Sequence, residues 1–96
     1  MPKGYWIAHV RVGDTSKYPD YIAMAKPAFE EHGARFLVRG GAHESVEGDA
    51  GERHVVIEFD SMEKALACYR CDRYQKAAAI RQGCSTGTIT IVEGVE

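Results

Sequence analysis

The chain is expected to fold as one α+β domain over residues 1–96. The predicted form is a ferredoxin-like βαββαβ unit with a four-stranded antiparallel sheet of order 4-1-3-2 and helices on one face. Three observations predict this. Segments with period-two apolar alternation and segments with helical periodicity follow one another in the order β-α-β-β-α-β. The two middle strands form a hairpin, and right-handed crossovers on either side of it interleave the strands. A chain of 96 residues buries roughly 60–65% of its unfolded surface, an adequate core for one domain.

Residues 5–12, YWIAHVRV, alternate aromatic and β-branched positions and make the first strand, ended by Gly13-Asp14. Asp14 or Ser16 is the expected cap of the next helix, since either side chain can accept from a free N–H of its first turn. In KYPDYIAMAKPAFEEHG, the residues Tyr18, Tyr21, Ile22, Ala25, Ala28 and Phe29 share one helical stripe. Pro19 suits the first turn. Pro27 has to bend the helix or cost about 3 kcal/mol, and Gly33 ends it. Residues 34–39, ARFLVR, are the second strand and residues 53–59, RHVVIEF, the third, with GDAG at 48–51 as the turn. Ser61 caps MEKALACYR. Asp72 with Gln75 is a capping pair for RYQKAAAIRQ, so the helical region breaks near Cys71. Gly83 and Gly87 flank an expected loop, and TITIV at 88–92 is the last strand.

The net charge of −2 disfavours nucleic acid and anionic membranes as partners. No window approaches the roughly 20 consecutive apolar residues of a membrane span. The N-terminal run carries His9 and Arg11 and does not read as a signal peptide. Three cysteines, an odd count, fit a reduced cytoplasmic protein.

Taking the more apolar phase of each strand as the helix side leaves a second face. It holds Tyr5, Ile7, His9, Arg11, Arg35, Leu37, Arg39, His54, Val56, Glu58, Thr88, Thr90 and Val92. Its apolar members would be an exposed patch on a monomer. A homodimer formed through the sheet faces would cover them. His9, Arg39, His54 and Glu58 would then sit in or beside a cavity between subunits, and Glu58 is expected to pair with Arg39 or His9, because buried charge must be paired. Gly40 and Gly41, directly after Arg39, suggest a bulge or sharp bend at the strand end. Arg39 is expected to point into the inter-sheet space. There it would either hold an anionic group bidentately or serve a structural salt bridge.

The stretches GYWIAHVRV, KYPDYIAMAKPAFEEHGARFLVRGG and VVIEFDSMEKALACYRCDRYQKAAAIRQ together resemble the small bacterial family called domain of unknown function 1330. The resemblance runs from about Lys3 to Gly94. It is most specific at RFLVRGG, VVIEF and YQKAAAIR. It implies a place among the dimeric α/β barrels, whose members include monooxygenases, decarboxylating and dehalogenating enzymes, haem-handling proteins and ligand-sensing domains. Arg39, Gly40, Gly41, Phe59, Tyr74 and Arg81 match the family's signature, which carries no catalytic assignment. Where the family has a Ser-Pro-like cap, this chain has Cys71-Asp72-Arg73.

Other constellations have simpler readings. Cys68-x-x-Cys71 ends a helix, whereas a redox pair begins one, so buried structural thiols are expected. His9, His54 and Glu58 have ligand types suited to zinc or iron, but no tight spacing, and no metal site is assigned. His32 sits at a helix C-terminus, where a cation is favoured, and His43 in an exposed bend. Tyr21 is expected in the core, and Tyr74 with Arg81 is expected to pack the broken helix across the dimer. An RNA-recognition face would need exposed aromatics on the central strands, and here those positions hold His54, Val56 and Glu58.

Two functions of different class remain. In one, the protein binds a small anionic or aromatic ligand at the sheet face, with no cofactor implied. Arg39 orients the anion, His54 lines the site, and His9 and Glu58 are the catalytic candidates if it is an enzyme. In the other it is a non-catalytic dimeric module whose charged cluster only satisfies the interface.

Overall fold

The computed structural model describes residues 2–96. The chain runs β1 (Gly4–Val12), α1 (Tyr18–Glu31), β2 (Arg35–Arg39), β3 (Arg53–Phe59), α2 (Met62–Arg70), α3 (Asp72–Cys84) and β4 (Ser85–Glu93). The strands pair antiparallel in the order β2-β3-β1-β4, which is the expected order viewed from the other edge. The helices lie on one face, where Trp6, Ala8, Val10, Val55, Ile57 and Phe59 are buried. Trp6 organises the core. Its ring meets Phe29 and Tyr74 edge-on at 5.3 and 4.9 Å, and its Nε1 donates to the Ala65 carbonyl at 2.9 Å. That satisfies the one polar atom such a residue brings inside.

Several local expectations need correction. Lys17 precedes α1 and makes no side-chain cap. Asp14 instead accepts from the Ser16 amide and hydroxyl, closing a turn on itself. The helix continues through Pro27, whose exposed position leaves the carbonyl it deprives of a donor to water. Ser61 does cap α2, accepting from the Lys64 amide at 3.1 Å. The break at Cys71 is real, but Cys71 itself is the cap: its Sγ accepts from the Tyr74 amide at 3.4 Å.

Gly83 and Gly87 flank no loop. α3 runs through Gly83 to Cys84, and β4 starts at the next residue. Gly87 lies in the strand opposite Val10. A Cβ there would stand 2.2 Å from the His9 carbonyl oxygen, so glycine is required by the closeness of β1. Residues 40–52 form no strand, and HESVEG is exposed coil.

The break in β2 falls earlier than the double glycine. Phe36 pairs with Ile57 and Val38 with Val56, so the bulge lies at Leu37. One extra residue moves every later side chain to the other face. Val38 therefore lies on the open face beside Val56, and Arg39, opposite Val55, lies on the helix face. Gly40 follows with φ +64°, and its amide donates to the His54 carbonyl at 2.8 Å.

Candidate binding cavity

Pairing and bulge together divide the expected site residues between two places. On the open face, His9 and His54 are cross-strand partners, with Nδ1 atoms 2.9 Å apart. His43 reaches back from the coil to stack edge-on against His54 at 4.5 Å. Glu58 stands opposite Tyr5, four positions along β1 from His9. The expected proximity of His9 and Glu58 is therefore not formed.

Glu58 accepts from the Tyr5 hydroxyl at 3.1 Å and from Arg35 Nε at 2.9 Å, and Arg35 also reaches Asp60. The hydrogen bond from Arg35, and then that from Tyr5, hold the Glu58 carboxyl below its usual range. A carboxylate kept ionised by two donors is a structural anchor and a poor base. Arg39 is on the opposite face, its guanidinium 3.7 Å from the centre of the Phe36 ring. Among the described residues, no group of three or more His, Cys, Asp and Glu side chains is arranged to hold a metal ion.

The helix face holds a feature the sequence reading did not anticipate. Between α1, α3 and the sheet lies a cavity of about 410 Å³. Its apolar wall includes Trp6, Val10, Val55, Ile57 and Phe36. The exposed residues among its lining, Ile22, Lys26 and Glu30 on α1 and Arg39 on β2, mark its mouth. The volume lies within the roughly 300–1,000 Å³ of ligand sites.

Its polar groups come from helices and strand in phase with the core. Tyr18 and Tyr21 lie on the buried stripe of α1. Tyr74, Ala77, Ala78 and Arg81 are the buried stripe of α3, at the i, i+3, i+4, i+7 spacing of one helix face. Arg53 shares the helix side of β3 with Val55 and Ile57.

Arg81 is 9% exposed. Its guanidinium carbon is 5.9 Å from the Tyr21 ring centre, and its Nε has no hydrogen-bond partner. Arg53 lies 5.4 Å from the Tyr18 ring centre, and its buried Nε is likewise unpartnered. Neither arginine has a carboxylate within ion-pair distance among the described residues. An arginine keeps its charge even when buried, so neither guanidinium is neutralised by a neighbouring carboxylate. Part of the Arg81 cost is offset by its place in the last turn of α3, where a cation meets the negative end of the helix dipole.

Behind the wall, Tyr21 and Tyr74 join hydroxyl to hydroxyl at 2.9 Å. Burial, and then the neighbouring Tyr74, push the Tyr21 phenol far above its usual range, and burial raises Tyr74. Both stay protonated, one hydroxyl donating to the other.

The sequence reading named Tyr21, Tyr74 and Arg81 but assigned them to packing, and passed over Arg53. The signal was present: Arg81 completes an otherwise apolar stripe, and Arg53 is in phase with the core side of its strand. A charged residue in a core phase has to meet a counterion, water or a ligand.

Comparison with known proteins agrees with this fold. A family model described as "Domain of unknown function (DUF1330)" matches residues 3–95. No curated protein matches the chain. A protein of unknown function from Rhodopseudomonas palustris is 16% identical, with a TM-score of 0.81 over 99% of this chain and 84% of that one. SnoaB, a cofactor-independent oxygenase from Streptomyces nogalater, is 11% identical, with a TM-score of 0.68 over 100% of this chain and 96% of that one. A dimeric ferredoxin-like protein of unknown function from Thermobifida fusca is 18% identical, with a TM-score of 0.55 over 96% and 91%. At these identities the likeness is one of fold. No helix among the described residues is long and apolar enough to cross a membrane.

Proposed function

We propose that this chain, which belongs to the DUF1330 family, binds a small aromatic acid in the cavity between its helices and its sheet. The observation that carries the reading is Arg81, a cation more than nine-tenths buried with no carboxylate beside it. A ligand carboxylate would supply the missing anion and form charge-assisted hydrogen bonds, each worth about 1.5–3 kcal/mol. Aromatic walls from Trp6, Tyr18, Tyr21 and Phe36 would take the ring. The site thus moves from the open face to the helix face, and of the residues first considered only Arg39 goes with it, as a rim group.

A second copy of the chain is the proposed cover for the open face. The bulge exchanges Arg39 for Val38 there, next to Leu37, while Val92 lies on β4 at the other edge of the sheet; all three are exposed. The reading takes support from the dimeric ferredoxin-like protein of Thermobifida fusca, which shares this fold. On this reading His9, His43 and His54 belong to the interface. Three unpaired thiols suit a reducing, cytoplasmic setting.

The cavity favours binding over proton abstraction, because its lining offers several donors and one carboxylate, Glu30, at the mouth. Cofactor-free oxygenation of a bound hydroxyaromatic acid is the enzymatic alternative. It takes support from the SnoaB likeness and from a cavity that would stabilise an aromatic oxyanion. Oxygen uptake on mixing would reveal it.

The single tryptophan, Trp6, lines the cavity and supplies the assay. Titration with naphthoate is expected to change its fluorescence, the neutral naphthamide is expected to do so far more weakly, and Arg81→Met is expected to remove the preference. Equal response to acid and amide would overturn the reading. Light scattering showing a monomer at micromolar concentration would overturn the dimer.

A further inference from the structure

Arg81 is not the only cation in the cavity that lacks an anion. Lys26, Arg39, Arg53 and Arg81 line it against the single carboxylate of Glu30, in a protein whose overall charge is −2. Lys26 and Arg39 stand at the exposed mouth, so one monoanion would leave one of the two less exposed guanidiniums, Arg53 or Arg81, uncompensated where water is partly excluded. The two unpartnered Nε atoms also sit on different elements. Arg53 faces the ring of Tyr18, Tyr18 meets Tyr21 at 5.3 Å, and Tyr21 faces Arg81. The two guanidiniums are thus joined by a chain of two tyrosine rings, one arginine against each ring, and both line the same cavity.

The position of Arg53 depends on the strand end. A Cβ on Gly40 would lie 2.6 Å from Arg53 Nη1. Gly40 therefore leaves room for the Arg53 guanidinium beside the β2 terminus, between the interior and the rim group Arg39. Size agrees as well. A dry cavity of about 150 Å³ accommodates benzene, so 410 Å³ has room for two fused rings with polar substituents.

We infer that the ligand carries two acidic groups on one rigid aromatic or conjugated frame. Arg81 takes the inner group, and Arg53, with Arg39, takes the outer one. This rests on the cavity reading above and goes further by fixing the number and placement of the ligand's charges.

Calorimetric titration with a naphthalene monocarboxylate and with the naphthalene dicarboxylate whose acid groups sit at opposite ends tests it. The diacid is expected to bind at least about tenfold more tightly, the value of one added charge-assisted bond. Arg53→Met is expected to lower the diacid to the monoacid's affinity while leaving the monoacid nearly unchanged. Arg53→Lys is expected to restore part of the difference, and Arg81→Met to weaken both acids. Circular dichroism on each variant checks that it folds. Equal affinity of the two acids for the unaltered protein would overturn the inference and spare the cavity reading. Arg53→Met weakening both acids alike would do the same. Failure of both acids to bind would overturn the two together.

Discussion

Arg81→Met is the most informative single change, because it separates a binding arginine from a structural one. The native residue is 9% exposed and leaves its Nε unsatisfied. An unmet buried donor costs about 1–3 kcal/mol, which the variant recovers. Against this it loses the contact with the Tyr21 ring at 5.9 Å, worth about 0.5–1 kcal/mol. It also loses a favourable charge at the end of α3, worth about 0.3–1 kcal/mol, and the polar interaction of Arg81 with the Tyr74 hydroxyl, worth about 0.5–1.5 kcal/mol. Tyr21 and Tyr74 keep each other as hydrogen-bond partners, and the methionine chain fills the volume of the arginine stem. The opposing terms nearly cancel, so the variant is expected to be within about 1 kcal/mol of the native protein, a melting-point change of roughly 4–8 °C at most for a domain this size. Urea unfolding followed by circular dichroism measures it. Had Arg81 been half of a satisfied buried ion pair, the same change would cost about 3–5 kcal/mol. A loss of that size would refute the reasoning and make Arg81 a structural residue. Unchanged stability together with lost acid binding is the signature of a residue retained for a ligand.

Three further outcomes are expected. Gly87→Ala should destabilise by more than about 2 kcal/mol, because its Cβ would meet the His9 carbonyl at 2.2 Å and part the β1–β4 ladder; an unchanged urea midpoint would contradict the pairing. Glu58→Gln should lower the melting point at neutral pH. The Glu58 carboxyl is held low by Arg35 and Tyr5, so its stabilisation is complete above the ordinary carboxylate range, about pH 4.3, and is lost as pH falls through the lower folded value. The gap between variant and native protein should therefore close in acid, and a gap independent of pH would show that Glu58 acts through packing alone. Cys68, fully buried with its thiol pushed up to about 12 by burial, should resist a disulfide reagent at pH 8 until the protein unfolds, as mass spectrometry after trapping would report. Labelling of Cys68 in the native state as fast as that of half-exposed Cys71 would show that α2 opens locally.

The order and type of the elements were legible because each strand and helix buries one face, and a buried face leaves its period in the sequence. The Ser61 cap and the break at Cys71 were legible for a related reason, since both are settled by a few neighbouring residues. Boundaries were less so. The expected loop between Gly83 and Gly87 is a helix end followed directly by a strand, because the tight approach of β1 needs glycine in a place where local rules read flexibility.

The candidate site was legible only in its raw materials. Arg53 and Arg81 each stood in a core phase, and a charged side chain there was the available sign. What assigned them to one cavity was the way α1 and α3 span the sheet without filling the space between, a matter of three-dimensional packing.

Arg39 shows where the sequence by itself stops. Alternation counted along RFLVR puts it on the open face, and the count is correct for a regular strand. The bulge at Leu37 adds one residue against β3 and turns Arg39 to the cavity and Val38 to the open face. A bulge is a relation between two strands, and nothing local to either one records it. The chain determined its fold class, its strand order and which residues are apolar. The cross-strand register decided which face each polar group serves, and with it where an acid is expected to bind.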